Sequence, residues 1–197
     1  MDGILEKFTQ TNALLEGHFV LSSGLHSSKY LQCALALQRP EEAADYGREI
    51  AESILNSVGI DLVLEDIDAV ASPAIGGLII GFATAQVLGK RFIWTERQNG
   101  EMTLRRGFSL KEGERILVVE DVITTGGSTR ECIATLVSHG AKIVAAASII
   151  DRSNGDADVG VPRISLVSLD VPSYRSETCP LCAAGIEAVK PGSRTAK

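Results

Sequence analysis

The chain alternates short apolar runs with stretches of helical period. The apolar runs predict strands at residues 69–71, 91–95, 116–119 and 143–150. The helical stretches lie at residues 40–58, 78–88 and 128–139, and each is followed by a glycine, at Gly59, Gly89 and Gly140. Because strands and helices alternate, we predict an α/β fold with a mostly parallel, doubly wound sheet and helices on both faces.

Two regions do not follow this alternation. The N-terminal region predicts a short helix over residues 4–15 and then a hairpin, with extended segments at 18–21 and 29–31 around a turn at 22–24. Residues 96–108 are polar and have neither a helical nor a strand period, so we predict a loop there. No internal repeat or obvious linker divides the chain, which predicts a single domain over residues 1–197.

Composition narrows the class of protein. A hydrophobic fraction of 45% and a charged fraction of 22% are ordinary for a globular protein. The net charge of -6 disfavours nonspecific binding to nucleic acid, which requires a basic surface. No apolar run is long enough to span a membrane, and the first residues lack a signal-peptide pattern. We therefore expect a cytoplasmic protein with neither a membrane nor a nucleic acid as its partner.

The segment with the clearest chemistry follows the apolar run at 116–119. Two acids come first, and two threonines, two glycines and a serine then lead into the predicted helix. The segment comprises Glu120, Asp121, Val122, Ile123, Thr124, Thr125, Gly126, Gly127 and Ser128. Such a turn offers backbone N–H groups, hydroxyl donors and the positive end of a helix dipole to one anion. We therefore predict a phosphate site that needs no lysine and is not a Walker loop.

The two acids predict a sugar attached to that phosphate. Carboxylates accept charge-assisted hydrogen bonds from vicinal hydroxyls, and they stabilise positive charge that develops on a sugar ring. Acids at a strand end followed by a phosphate cradle therefore describe a ribose 5-phosphate site. The alternative is a plain turn with a serine helix cap and two exposed acids, which the completeness of the pattern disfavours.

Residues 118–128 resemble the 5-phosphoribosyl-1-pyrophosphate signature of the type I phosphoribosyltransferases. Further segments resemble the orotate branch of that family, and they lie at residues 16–19, 21–24, 72–77, 104–108, 151–153 and 179–182. The resemblance extends over almost the whole chain. It implies the type I fold, with a hood formed by about residues 1–40 and the C-terminal segment, and a core formed by about residues 41–170.

The resemblance also implies an activity. The expected enzyme transfers ribose 5-phosphate from phosphoribosyl pyrophosphate to orotate, which gives orotidine 5′-monophosphate and pyrophosphate in the synthesis of UMP. It implies Mg2+ as the cofactor, held mainly by the pyrophosphate and hydroxyls of the substrate. It further implies a homodimer in which the loop 96–108 acts in the neighbouring active site.

The same resemblance assigns residues to the site. The catalytic residues that it implies are Glu120, Asp121 and Arg97. For phosphoribosyl pyrophosphate it implies residues 120–128 together with Ala74, Ile75, Gly76, Arg97 and Arg105, and for orotate it implies Thr124, Arg152 and Tyr30. Many relatives carry an aromatic–lysine pair where this chain has Ile75-Gly76. Relatives with longer loops carry a lysine and a histidine that are missing here, so we expect Arg105 or Arg106 to substitute.

Several of these assignments have a plainer alternative. Arg152 suits the carboxylate of orotate, but a solvent-facing Asp151–Arg152 pair fits the same sequence. Tyr30 suits stacking on a pyrimidine, and a half-buried hairpin tyrosine fits equally well. The arginines of 96–108 also fit a solvated charge run. The alternative functions are a purine or uracil phosphoribosyltransferase and a regulatory protein that senses nucleotides on the same fold.

The cysteines and histidines give a weaker signal. Cys179 and Cys182 have the spacing of metal ligands, but one such pair is weak evidence for zinc. His18, His26 and His139 form no recognisable set of partners in the sequence. We therefore expect the two thiols to be inert or redox-responsive rather than zinc ligands.

Overall fold

The structure, a computed structural model, describes residues 2–21, 24–57 and 62–191. These residues form two compact units. The terminal unit contains the described part of residues 1–36 and 170–197, and the central unit contains that of residues 37–169. Parts of two predictions, the turn at Ser22 and Ser23 and the helix end at Val58 and Gly59, lie outside the described residues.

Helices and strands alternate along most of the described chain. Their order is α1 (Asp2–Gln10), β1 (Leu14–Val20), β2 (His26–Leu31), α2 (Cys33–Ala36), α3 (Pro40–Leu55), β3 (Ala69–Pro73), α4 (Gly77–Leu88), β4 (Arg91–Gln98), β5 (Glu101–Leu104), β6 (Arg115–Ile123), α5 (Gly127–Ser138), β7 (Lys142–Asp151), β8 (Arg163–Ser168), β9 (Ser173–Tyr174) and α6 (Pro180–Ala183). The strands predicted from apolar runs are confirmed, as are the helices predicted at 78–88 and 128–139. The helix predicted from residue 40 is present and ends at Leu55.

The central unit contains a six-stranded sheet in the order β5-β4-β3-β6-β7-β8. Its neighbouring strands are parallel except β4 and β5, which are antiparallel. The mostly parallel α/β sheet predicted from the alternation is therefore confirmed. Strand β8 was not predicted, because it is a short edge strand in which only Val167 is buried and the apolar signal is weak.

Helices cover both faces of this sheet. On one face, Cys132 of α5 packs with Ala69 and Val118 in a buried cluster. On the other face, α4 lies so close to β3 that a Cβ added to Gly81 would overlap the hydroxyl of Ser72. Alternate residues of a strand point to opposite faces, which explains how Ala69 and Ser72 of the same strand meet different helices.

Two sequence predictions are wrong in detail. Helix α1 ends at Gln10 instead of continuing to residue 15, because Asn12 takes a left-handed φ of 54° and the chain then enters β1. The segment 96–108 is not an irregular loop, since β4 continues to Gln98 and pairs with β5. Asn99 and Gly100 form the hairpin turn with positive φ values of 53° and 89°. The pairing was missed because the end of β4, at residues 96–98, is polar and β5 has only four residues, too few for its alternation of polar and apolar residues to stand out.

The terminal unit contains a small sheet in the order β1-β2-β9. Strands β1 and β2 are antiparallel, which confirms the predicted hairpin. The short strand β9 pairs with β2 through His26 and Ser27, and it brings the C-terminal segment against the N-terminal hairpin. No helix of the described chain is long and apolar enough to cross a membrane.

Candidate active site

Three segments of the central unit meet at the carboxyl edge of its sheet. The turn after β3 begins where the Ala74 N–H donates to the Thr95 carbonyl at 2.7 Å. The predicted phosphate loop follows β6, whose last residue Ile123 is in register with Asp151 of β7. The Arg152 N–H donates to the Ile123 carbonyl at 2.8 Å, so the segment after β7 adjoins the loop. This is the edge at which open α/β sheets bind ligands.

The predicted phosphate loop runs from the buried Ile123 to the start of α5 at Gly127. Thr124 and Thr125 are exposed, so their hydroxyls and backbone are accessible. The first N–H groups of α5 have no partner within the helix, and they project toward this loop. The loop therefore has the donors and the helix-dipole orientation that an anion requires.

Arg130 of α5 holds the phosphate loop in place, although the sequence pattern did not indicate this role. Its Nη1 donates to the Thr125 carbonyl at 2.8 Å and to the Asp158 carbonyl at 2.7 Å. Gly126 has a φ of 72°, and a Cβ there would stand 2.9 Å from Val159 Cγ1. The loop thus depends on glycine for its backbone conformation and on one arginine for its attachment. The sequence signal for this contact was the basic residue in the first turn of α5.

The two acids at the end of β6 differ in their environments. Glu120 is buried, and burial followed by repulsion from the neighbouring Asp121 raises the pKa of Glu120 well above its usual value. Asp121 is half-buried, and its Oδ1 accepts the Val122 N–H at 2.8 Å. Of the two carboxyl groups, that of Asp121 is therefore the more accessible.

The turn before α4 packs directly against these acids. A Cβ on Gly76 would stand 2.7 Å from Oδ1 of Asp121, and one on Gly77 would stand 3.0 Å from Oε1 of Glu120. The peptide bond between Ala74 and Ile75 is cis. The predicted pyrophosphate turn, at Ala74, Ile75 and Gly76, and the predicted ribose acids therefore border the same space.

The plainer alternative for Arg152, a solvent-facing pair with Asp151, does not fit the structure. Asp151 is buried and faces Arg163, with an Nη1···Oδ2 distance of 3.2 Å. Burial raises the pKa of Asp151, but hydrogen bonds from Ser153 and Gly155 and the charge of Arg163 outweigh it, so that the net shift is downward. Asp151 therefore shapes the segment after β7, and Arg152 is half-buried beside the phosphate loop.

The arginines of the hairpin are matched by acids. Arg97 Nη2 lies 2.5 Å from Glu131 Oε2, on α5. Arg106 makes two hydrogen bonds to the Glu96 carboxylate, at 2.8 and 3.0 Å, whereas Arg105 lies 3.5 Å from it. The Arg106 hydrogen bonds lower the pKa of Glu96. These pairs hold the guanidinium groups close to the protein. The sequence gives no sign that Glu96 and Glu131 are their partners, because Glu131 lies on a different element and Glu96 lies ten residues before Arg106.

Tyr30 belongs to β2 of the terminal unit. Its hydroxyl donates to Gln32 Oε1 at 3.2 Å, and its ring centroid lies 5.8 Å from that of Phe19. Its half-buried position is that of the plainer alternative, a hairpin tyrosine. Stacking on a pyrimidine stays a prediction.

The terminal unit also corrects the interpretation of the histidines. His18 and His26 lie together with Cys179 and Cys182, and their ligand atoms are all within 4.8 Å of one another. The expectation that the histidines form no set of partners is therefore wrong. The sequence could not show it because 161 residues separate His18 from Cys179, and only folding brings them together.

Comparisons with known proteins agree with this geometry. The Phosphoribosyl transferase domain family matches residues 36–170. Orotate phosphoribosyltransferase of Thermotoga maritima is 50% identical over 194 residues, which cover 98% of this chain and 98% of that protein. Its counterpart from Caldicellulosiruptor bescii is 48% identical over 193 residues, with 98% and 97% covered. The crystal structure of orotate phosphoribosyltransferase from Aeropyrum pernix superposes with a TM-score of 0.65 at 28% identity, over 84% of this chain and 93% of that one.

Proposed function

The chain belongs to the phosphoribosyltransferase family, and from this premise we propose that it is an orotate phosphoribosyltransferase of pyrimidine biosynthesis. It transfers ribose 5-phosphate from 5-phosphoribosyl-1-pyrophosphate to orotate. The bond between C1′ and the pyrophosphate oxygen breaks, a bond between C1′ and a ring nitrogen of orotate forms, and the proton of that nitrogen is released. The observation that carries the proposal is similarity, along nearly the whole chain, to proteins named for this reaction.

The 5′-phosphate binds in the loop from Thr124 to Ser128. The exposed threonines, the left-handed Gly126 and the first N–H groups of α5 support this assignment. Because these donors are backbone groups fixed by Arg130, they need little rearrangement when the anion arrives. The charge of the phosphate is thus met by oriented dipoles instead of a lysine.

Asp121 and Glu120 have different roles at the ribose. Asp121, which is the more accessible, accepts hydrogen bonds from the ribose hydroxyls and stabilises the positive charge that develops on the ring. Glu120 is buried with a raised pKa, so it acts mainly by holding the end of β6, where its Oε1 accepts the Asp121 N–H at 3.3 Å. The two adjacent acids therefore have different roles despite their similar chemistry.

The base binds beside the phosphate loop. The guanidinium of Arg152 suits the carboxylate of orotate, which neutral bases lack. Its backbone is anchored to Ile123, next to Thr124, and this proximity supports a joint role of Thr124 and Arg152 toward orotate. Tyr30 is proposed to stack on the pyrimidine ring on the strength of the family resemblance alone.

The leaving pyrophosphate lies at the turn formed by Ala74, Ile75 and Gly76. This turn borders Asp121, which supports its place next to the ribose. Arg97 and Arg105 assist departure by neutralising pyrophosphate, and for this they exchange Glu131 and Glu96 for the phosphate oxygens. The longer Arg105–Glu96 distance of 3.5 Å makes Arg105 easier to release than Arg106, which is held by two hydrogen bonds.

Mg2+ fits this donor set as the cofactor. Mg2+ prefers oxygen ligands, keeps several waters and is typically bound by one or two carboxylates together with substrate phosphates. The pyrophosphate and hydroxyls of the substrate would hold most of the ion, and the half-buried Asp121 would be the accessible carboxylate beside it. When bound, the ion neutralises part of the charge of the pyrophosphate. The homodimer, the action of 96–108 in the neighbouring site and the cytoplasmic location belong to the same proposal.

A panel of bases tests the proposal. The purified protein is incubated with phosphoribosyl pyrophosphate and Mg2+ and with orotate, uracil, hypoxanthine or adenine, and the release of pyrophosphate is measured. Of the four bases, we expect turnover with orotate and with none of the others. We expect no turnover with orotate when Mg2+ is removed by a chelator. Turnover with uracil or a purine and none with orotate would contradict the assignment.

Arg152→Ala refines the test. This variant should lose affinity for orotate by about 10- to 150-fold, the scale of a lost charge-assisted hydrogen bond of about 1.5–3 kcal/mol. Its binding of phosphoribosyl pyrophosphate, measured by calorimetry, should be unchanged. Arg48→Ala, an exposed arginine of α3 that pairs with Asp45, is the matched control and should behave as wild type.

A further inference from the structure

The terminal unit contains a cluster of four metal-binding side chains. His18 lies on β1, His26 on β2, Cys179 just before α6 and Cys182 within α6. The Nε2 atom of His18 is 3.5 Å from the Cys179 sulfur and 3.7 Å from the Cys182 sulfur. The Nδ1 atom of His26 is 3.3 Å from the Cys182 sulfur and 2.7 Å from His18 Nε2. The four ligand atoms thus converge on one point.

The separations fit tetrahedral zinc. Bonds of about 2.3 Å from zinc to sulfur and about 2.0 Å from zinc to nitrogen place nitrogen and sulfur roughly 3.5 Å apart in a tetrahedron. The three nitrogen–sulfur distances of 3.3, 3.5 and 3.7 Å lie around this value. The nitrogen–nitrogen distance of 2.7 Å is that of a hydrogen bond between the two rings. A bound zinc ion would increase this distance by about half an ångström.

The hydrogen bonds around the cluster prepare His18 as a ligand. Its Nδ1 lies 2.7 Å from the Ile186 carbonyl oxygen, which can only accept, so Nδ1 carries the proton. In a neutral imidazole this leaves the lone pair on Nε2, the atom that faces the cysteines. Donation from the outer nitrogen to a carbonyl is the usual way in which proteins fix the tautomer of a metal-binding histidine.

The local backbone explains how the cysteines reach the histidines. Cys179 precedes the short helix α6, and the Ala183 N–H donates to its carbonyl at 3.1 Å. Gly185 has a φ of 70° and turns the chain, so that the Ile186 carbonyl comes to His18. The Val189 N–H then donates to the His18 carbonyl at 2.8 Å. The whole segment is therefore arranged around His18.

We propose that His18, His26, Cys179 and Cys182 bind one Zn2+ as a structural site. Two thiolates and two imidazoles make a closed set of four ligands with no open position, as in structural rather than catalytic zinc sites. His18, His26 and Cys179 are buried, whereas Cys182 lies at the surface and provides an entry path. The ion crosslinks the C-terminal segment to the N-terminal hairpin, which are otherwise joined by the two-residue strand β9 and a single bridge at Phe19 among the described β pairings.

Metal analysis of the full-length protein is the first test. The chain is produced in medium with zinc, its affinity tag is removed, and metal content is measured by inductively coupled plasma mass spectrometry. We expect one zinc per chain. Replacement by Co2+ should give the intense visible absorption of tetrahedral cobalt and a thiolate charge-transfer band, a readout that does not depend on enzyme activity.

Two variants identify the ligands. Cys182→Ser and His26→Asn should each bind zinc at least tenfold more weakly and lose the thiolate–cobalt spectrum or its tetrahedral intensity. Cys33→Ala and His139→Asn are matched controls, because Cys33 and His139 do not belong to the cluster, and they should retain one zinc. Chelation of zinc from wild type should also lower the melting temperature, whereas removal of Mg2+ alone should not.

Three results would overturn the proposal. The first is wild type that contains little zinc and takes up Co2+ without a tetrahedral spectrum, which would leave a hydrogen-bonded cluster. The second is a Cys179–Cys182 disulfide in protein purified without reductant, detected by mass spectrometry and by loss of two free thiols. The third is zinc that remains stoichiometric in both ligand variants, which would place it elsewhere. None of these readouts uses orotate turnover, so a failed base assignment would not affect them.

Discussion

Gly76→Ala tests whether the position of Asp121 controls turnover. Gly76 has helical backbone angles, with φ of -55° and ψ of -48°, so alanine can adopt its conformation without strain. The new methyl group, however, would stand 2.7 Å from Oδ1 and 3.0 Å from Oδ2 of Asp121. The carboxylate must retreat by about 0.7 Å to reach an ordinary separation of roughly 3.4 Å.

The size of the effect follows from this displacement. A misplacement of about 1 Å in an active site costs on the order of a hundredfold in rate, so we expect turnover to fall by about 10- to 100-fold. Stability should hardly change, because alanine at a helical position gains about 0.4–1 kcal/mol through the unfolded chain, which offsets part of the crowding. The melting temperature should therefore stay within a few degrees of wild type.

The assay compares Gly76→Ala with Gly81→Ala. Both add one methyl group near β3, but the methyl of Gly81→Ala meets Ser72 and the ring of Phe92, away from Asp121. Overpacking of this kind costs about 1–3 kcal/mol, so Gly81→Ala should melt several degrees lower and turn over orotate at nearly the wild-type rate when folded. If Gly76→Ala keeps full turnover, or loses activity only because it unfolds, the role assigned to the Asp121 position is wrong.

Two further predictions concern the phosphate loop and the hairpin. Gly126→Val should abolish binding of phosphoribosyl pyrophosphate in calorimetry, because valine disfavours a φ of 72° and its Cβ would stand 2.9 Å from Val159 Cγ1; retained binding by a folded variant would contradict the cradle. Asp121→Asn should lower turnover by on the order of a hundredfold or more. If the hairpin acts across a dimer, mixing Asp121→Asn subunits with inactive Arg97→Ala subunits should restore activity. No recovery in proven heterodimers would show that Arg97 does not serve the partner's site.

The central sheet could be predicted from local sequence pattern. Short apolar runs such as 116–119, bounded by turn residues, are typical of buried strands. The acids and glycines of 120–128 directly follow this run. Local chemistry therefore indicates a phosphate and sugar site at the carboxyl edge, which stays a prediction. The hairpin at 96–104 was missed because residues 96–98 are polar and β5 is only four residues long, although Asn99-Gly100 is a typical hairpin turn.

Which side chains become partners depends on how the helices and strands pack. Glu131 pairs with Arg97, and Arg163 pairs with Asp151, through contacts between elements that the local pattern does not encode. Burial likewise distinguished Glu120 from Asp121, which are adjacent and chemically alike in the sequence. The cluster of His18 with Cys179 is the clearest case, because ligands separated by 161 residues acquire metal-binding geometry only when the termini pack together.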